Sequence, residues 1–248
     1  MKYLLPTALL VSTFAVSAAA PTLPSVTFDA KTLGLPATKK IMNAVKREDV
    51  PEFFPPRRVT VTFGPQTDDL RELNVYPVAG LIAQYPETRY GVRTEIGSLR
   101  ALLKERPAPS EIRGEMPFLP LPNAGQVLNA AVKYLDFGGG RGVRFLVAFA
   151  SDVSPVTRAQ VFYTYQGLTN DGKYYVSLQF PVNLAELPKD AFSGTNKAVT
   201  DALNSGDSKR SMDAYESHVA RTKKLLNGLT NDARLTKIDA FVKSLQVR

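Results

Sequence analysis

The sequence contains no cysteine, no tryptophan and a single histidine, His218. Without cysteine the chain cannot form disulfides, a thiol nucleophile, an iron–sulfur cluster or a thiolate zinc site. One histidine excludes metal sites built from several imidazoles and leaves one candidate imidazole base. The composition is otherwise that of a globular protein, since 44% of the 248 residues are hydrophobic and 22% are charged. No motif indicates a cofactor.

Residues 1–19 have the composition of a secretory signal peptide. Lys2 is their one charged residue, an apolar stretch follows over Leu4–Val16, and small residues come next. We expect cleavage after Ala18 or Ala19. The alternative, an uncleaved membrane anchor, is disfavoured because the stretch is shorter than the roughly 20 residues that span a bilayer. The sequence therefore predicts an exported protein of the periplasm or cell surface.

The chain is basic, with a formal net charge of +8. In an exported protein this excess favours an anionic envelope polymer or an envelope protein as partner. The alternative is a merely solvated basic surface, because the charges are spread along the chain and the densest clusters are pairs such as Arg57-Arg58. Nucleic-acid binding is disfavoured by export and by the lack of a basic stretch interleaved with aromatics. We expect no transmembrane span after cleavage of the signal.

The mature chain divides by composition into a lead-in and a domain. Residues 20–56 are rich in proline, which predicts an extended lead-in, interrupted by one short helix near Ala37–Arg47. Residues 57–248 are expected to form a single domain. Its first strand is predicted over Arg57–Phe63, where apolar and polar residues alternate. Leu73–Tyr85 is also expected to contain a strand, although its proline and glycine disfavour a regular central one.

The rest of the domain shows a helix, two hairpins and then helices. Apolar residues at helical spacing predict an amphipathic helix over Gly91–Glu105. β-branched and aromatic runs separated by glycine-containing turns predict two hairpins, Gln126–Ala150 and Val161–Phe180. Three helical segments follow, over 190–204, 212–226 and 236–246. The predicted fold class is therefore α+β, an antiparallel sheet built from consecutive hairpins with helices on one or both faces.

The glycine run Gly138–Gly142 invites comparison with a phosphate-binding loop. Such loops stand between a strand and a helix, whereas strands are predicted on both sides here, so a wide hairpin turn is favoured. Arg141 at its tip, with Lys133 and Arg144 on the flanking strands, can meet an anionic partner. Solvated charges are favoured over such a partner.

Few residues are candidates for a catalytic role. His218 is predicted on a helix surface, and no Gly-x-Ser-x-Gly elbow accompanies it. Paired carboxylates need neither cysteine nor histidine, and Asp136 and Asp171 are candidates for such a pair. Turn chemistry is the alternative explanation for both aspartates.

Five tyrosines fall on the two hairpins. Tyr163 and Tyr165 share a strand face, whereas Tyr174 and Tyr175 point to opposite faces. Any exposed members would form a semi-polar patch that binds sugars or proteins, but core packing is favoured. The candidate binding residues are Tyr134, Arg141, Arg144, Tyr163, Tyr165 and Tyr174.

Several of these segments resemble a family of uncharacterised exported bacterial proteins. The segments are PFLPL over Pro117–Leu121, the run Asn123–Phe137 ending in KYLDF, GVRFL over Gly142–Leu146, and FYTYQGLT with DGKYYV within Phe162–Val182. The resemblance implies export and a shared sheet, and transfers no site residue. The order of hairpins before C-terminal helices also resembles the α-β-α sandwich of the PsbP type.

These features together favour an exported, non-catalytic binding or accessory protein of the bacterial cell envelope. An envelope glycan hydrolase that uses a carboxylate pair is the alternative from another class. A structural subunit of a surface assembly is a third interpretation.

Overall fold

The computed structural model describes residues 22–46, 54–65, 70–85 and 91–248, so the predicted signal peptide lies outside the described residues. The strands are β1 (Val26–Thr27), β2 (Ala37–Met42), β3 (Arg58–Phe63), β4 (Glu72–Pro77), β5 (Gly125–Phe137), β6 (Gly140–Ala150), β7 (Phe162–Thr169), β8 (Tyr174–Pro181) and β9 (Gln246–Val247). The α-helices are α1 (Val78–Gln84), α2 (Val92–Glu105), α3 (Asn196–Leu203), α4 (Ser208–Asn227) and α5 (Ala233–Ser244).

Among the described residues, seven strands form one antiparallel sheet in the order β2-β3-β4-β8-β7-β6-β5. Strands β5 and β6 form one hairpin and β7 and β8 form the next, as the alternating apolar patterns predict. Strands β6 and β7 also pair and are joined by the longer segment 151–161. Strand β1 pairs with β9, which follows the last helix. The α+β prediction, with an antiparallel sheet and C-terminal helices, is confirmed.

The glycine run belongs mainly to strand β6 and not to a wide turn. Phe137 pairs directly with Gly140, so the turn between β5 and β6 is Gly138-Gly139. Gly142 lies inside the strand. A β-carbon at this position would stand 2.3 Å from the Tyr165 ring, so only glycine fits there. Gly140 and Gly142 therefore leave room for the rings of Phe137 and Tyr165, and the run lacks the strand-to-helix setting of a phosphate-binding loop.

Helices and loops cover both faces of the sheet. On one face, Phe63 of β3 packs against Phe241 of α5, with ring centroids 5.0 Å apart. On the other face, Phe145 of β6 belongs to a second buried cluster with Ile96 and Leu99 of α2. The amphipathic helix predicted before the hairpins is thus confirmed, and its apolar side is buried.

The proline-rich loop after α2, residues 106–124, packs on the second face. Phe118 and Leu119 are buried. The Leu119 N–H donates to the Tyr175 hydroxyl at 3.1 Å, and the Ser177 hydroxyl donates to the Leu119 carbonyl oxygen at 2.8 Å. Polar side chains of the sheet therefore satisfy the loop's backbone, which would otherwise be buried without partners.

The lead-in contains no helix at the predicted place. Residues 37–42 form β2, an edge strand whose partner is β3, so the predicted helix near Ala37–Arg47 is wrong. Hydrogen bonding to β3 determines this conformation, since the side chains of β2 are mostly exposed and carry little local pattern.

The segment 73–85 also departs from its prediction. Strand β4 lies between β3 and β8, and is therefore central despite Pro77. Proline is tolerated there because it is the last residue of the strand, after which α1 begins.

A buried ion pair joins the sheet to the last helix. Arg144 of β6 is 0% exposed, and its Nε donates to Asp239 Oδ1 of α5 at 3.0 Å. The other guanidinium nitrogens donate to the carbonyl oxygens of Ala131 and Thr230. The Tyr163 hydroxyl also donates to Asp239 Oδ1, at 3.1 Å. Arg144 and Tyr163 are therefore interior residues, and the prediction that they form a binding surface is wrong.

We expect Asp239→Ala to lower the free energy of unfolding by about 3–5 kcal/mol, because it leaves the Arg144 charge buried without its partner. Replacing both residues, Arg144→Met with Asp239→Leu, should cost less than Asp239→Ala alone. Urea denaturation measures both effects. Asp213→Ala is the control, since Asp213 forms an exposed pair with Lys209 and should contribute less than about 1 kcal/mol. A cost for Asp239→Ala no larger than that of the control would contradict this assignment.

Candidate functional site

Two turns and one helix meet at one end of the sheet. The β5–β6 turn lies beside the β7–β8 turn, where the Asn170 N–H donates to the Gly139 carbonyl oxygen at 2.9 Å. The C-terminal half of α2 lies next to the β7–β8 turn, and residues of both line a cleft of about 300 Å³.

Cations line this cleft, which we call the basic cleft. Arg100 and Lys104 come from α2 and Arg141 comes from β6. All three side chains are exposed, and none makes an ion pair with any residue in the described ranges. Arg100 and Lys104 stand one helical turn apart, so their like charges repel unless an anion lies between them.

The acid in the basic cleft does not neutralise these cations. Asp171 Oδ1 accepts from the Thr169 hydroxyl at 2.7 Å and from the Lys173 N–H at 3.0 Å. Its other oxygen lies 3.2 Å from the Lys173 ammonium. The Thr169 and Lys173 hydrogen bonds lower the pKa of Asp171 to about 2. The Asp171 carboxylate thus makes its contacts within its own turn. The three cations therefore give the basic cleft an excess of positive charge.

This arrangement favours an anionic ligand. A guanidinium presents its N–H groups in a planar fork that matches the oxygens of phosphate or carboxylate. Two such groups and an ammonium around one opening provide charge and directional donors together. Arg141 was predicted from the sequence, whereas Arg100 and Lys104 were not, because nothing local indicates that α2 ends beside the β7–β8 turn.

The predicted tyrosines do not form one exposed patch. Tyr165 is fully buried, like Tyr163, and its hydroxyl donates to the Leu135 carbonyl oxygen at 2.9 Å. Burial raises the pKa of both phenols well above the usual value. Tyr165 therefore belongs to the core, and its predicted binding role is wrong.

Two further candidates, Tyr134 and Tyr174, are half-buried. The Tyr134 hydroxyl donates to the Pro107 carbonyl oxygen at 3.1 Å, and that of Tyr174 donates to the Thr22 carbonyl oxygen at 3.2 Å. Because each hydroxyl has an internal acceptor, these tyrosines hold neighbouring segments in place. Neither residue lines the basic cleft.

The two candidate carboxylates have different surroundings. Asp136 is exposed on β5 and pairs with the Arg106 guanidinium. Asp171, with its pKa of about 2, is ionised at neutral pH and cannot serve as a general acid. Nothing in this geometry favours the glycan hydrolase over a binding protein.

His218 is buried and not on the helix surface, contrary to the prediction. It is 3% exposed, and its Nε2 accepts from the Val156 N–H at 2.9 Å. Burial, with a smaller contribution from Arg221, lowers the pKa of the imidazole. The neutral ring thus holds the segment after β6 against α4, which is a structural role.

We expect the free energy of unfolding to fall as the pH drops below about 6.5, the usual histidine value, because the unfolded chain then binds a proton that folded His218 does not. His218→Gln keeps an acceptor near Nε2 without the titration, so its stability should vary less between about pH 7.5 and 5.5. Denaturation across this range measures the difference, and no second histidine obscures it. Glu216→Gln, on the exposed side of α4, is the control and should keep the native slope. Equal slopes for native protein and His218→Gln would contradict the role of the imidazole.

Comparison with known proteins gives no indication of function. No protein-family model, no curated protein and no solved structure matches the chain. Within the described ranges, no three His, Cys, Asp or Glu residues are grouped so that they could hold a metal ion. None of the helices in those ranges has the length and apolar character needed to cross a membrane.

Proposed function

We propose that the protein is an exported, non-catalytic binding protein of the cell envelope that holds an anionic envelope polymer in the basic cleft. One observation carries the proposal: Arg100, Lys104 and Arg141 line a single opening, and none of them has an acidic partner among the described residues.

The electrostatics of the whole chain support the same ligand class. The net charge of +8 attracts polyanions from a distance, and envelope polymers are anionic. A signal-like sequence over residues 1–19 supports export to the compartment where such polymers occur.

The size of the basic cleft favours recognition of one repeating group at a time. Its volume of about 300 Å³ stands at the lower end of the range for small-molecule sites. The cleft is open, so a polymer can extend beyond it on either side. Phosphate groups suit the arginine forks, because each fork can bind two phosphate oxygens.

Binding of short-chain polyphosphate tests the site. We expect saturable binding in isothermal titration calorimetry, with an affinity that falls as salt rises, because salt screens the charges and reduces the free energy gained when counterions are released. The triple variant Arg100→Gln, Lys104→Gln and Arg141→Gln should bind at least about tenfold more weakly, since it removes every cation of the cleft.

A second triple variant controls for net charge. Arg93→Gln, Lys189→Gln and Arg210→Gln remove the same formal charge from exposed positions outside the basic cleft. This control should keep most of the native affinity. The proposal fails if the two triple variants bind equally, or if the native protein does not bind the polymer.

Export is tested on its own. Protein recovered from the periplasm or the culture fluid should begin at Ala19 or Ala20, because the small residues before these positions suit signal peptidase. N-terminal sequencing measures the start. Recovery of the protein only from the cytosol, with Met1 intact, would contradict export.

A further inference from the structure

A second cleft lies at the opposite end of strands β7 and β8. Its volume is about 620 Å³, within the usual range for small-molecule sites. Residues at the start of β7, at the end of β8 and just before β4 line it, and it shares no lining residue with the basic cleft.

A buried amide without a partner lies in this cleft. Gln179 of β8 is only 7% exposed, and its side chain makes no hydrogen bond within the described part of the chain. Its polar atoms are not sealed off from solvent, so they face the cleft that the residue lines. A buried amide is stable only with hydrogen-bonding partners, and a ligand or water must supply them.

Two arginines in the same cleft have no acidic partner among the residues that the structure describes. Arg158 donates through Nε to the Leu184 carbonyl oxygen at 3.1 Å and through Nη2 to that of Leu187 at 3.1 Å. These neutral acceptors hold the guanidinium in place and leave its charge uncompensated. Arg71 also lines the cleft, and its Nε is buried without a hydrogen-bond partner. Both cations are thus available to an anion.

Apart from Asn183, the remaining residues that line the cleft are apolar. Phe162 stacks on Phe149 with ring centroids 6.3 Å apart, and it also contacts Phe118. Pro181 and Val182 continue the wall beyond the end of β8. Rigid apolar walls bind apolar groups without having to rearrange.

We propose that this cleft binds a small monocarboxylate with an apolar body. The guanidinium groups of Arg71 and Arg158 match the carboxylate, the Gln179 amide donates to one of its oxygens, and the wall around Phe162 receives the hydrocarbon part. A compact polyanion fits less well, because much of the lining is apolar. The site is independent of the basic cleft, and of any polymer bound there.

Octanoate tests this inference, with octanol as the matched neutral compound. We expect saturable octanoate binding in calorimetry or in NMR titration of backbone amides, with shifts at the ends of β7 and β8. Octanol should bind at least about tenfold more weakly, because it lacks the charge that the arginines recognise.

Two substitutions locate the site. Gln179→Glu keeps the size of the side chain but places a negative charge against the carboxylate, and it should weaken octanoate binding at least about tenfold. Arg71→Gln should also weaken it, whereas Arg93→Gln, on the exposed side of α2, is the control and should not. Arg158 is left unchanged, because its carbonyl contacts hold the fold. Circular dichroism confirms that each variant is folded.

Three outcomes would overturn the inference: no saturable octanoate binding by the native protein, equal affinity for octanol, or unchanged affinity in both folded variants. None of these results bears on polyphosphate binding at the basic cleft, so the two proposals can fail separately.

Discussion

The contact between Arg144 and Asp239 is the constraint on which the rest of the structure depends. Burying both charges is costly, and the cost is offset only because several groups converge on them. One of these is the carbonyl oxygen of Ala131, which a bulge in β5 turns toward Arg144. Ala131 has a φ of 51°, unusual for a residue with a side chain, and its N–H donates to Asn227 at 2.7 Å. One ion pair thus fixes the bulge, the last helix and the loop before it relative to the sheet.

Helices and loops cover much of both faces of the sheet, which limits the places where a ligand can bind. Polar groups in the middle of the sheet, such as Gln166, Tyr175 and Ser177, have their hydrogen bonds satisfied internally by one another and by the proline-rich loop. The cations of the basic cleft and the Gln179 amide stand instead near the ends of strands β7 and β8. Both clefts lie at these strand ends.

Sequence patterns predicted the helices and strands whose conformation depends mainly on residues nearby in the chain. Alternation with glycine turns predicted the hairpins, and helical spacing predicted α2. Features that depend on distant residues could not be predicted in this way. Strand β2 exists because β3 pairs with it. The burial of Arg144 and of His218 depends on partners 95 and 62 residues away along the chain. A polar residue on a strand or helix looks the same in sequence whether it faces solvent or a buried partner.

For the same reason, the sequence indicated only one of the three cations of the basic cleft. Arg141 stood out because it interrupts a glycine run, whereas Arg100 and Lys104 resemble ordinary charges on the solvent side of an amphipathic helix. Only the packing of α2 against the β7–β8 turn brings the three together. At the other end of these strands, the buried amide of Gln179 lies in a cleft with an apolar wall. Opposite ends of the same two strands therefore favour different anions, because an exposed cluster of cations suits a polymer whereas a buried amide beside aromatic rings suits a small acid.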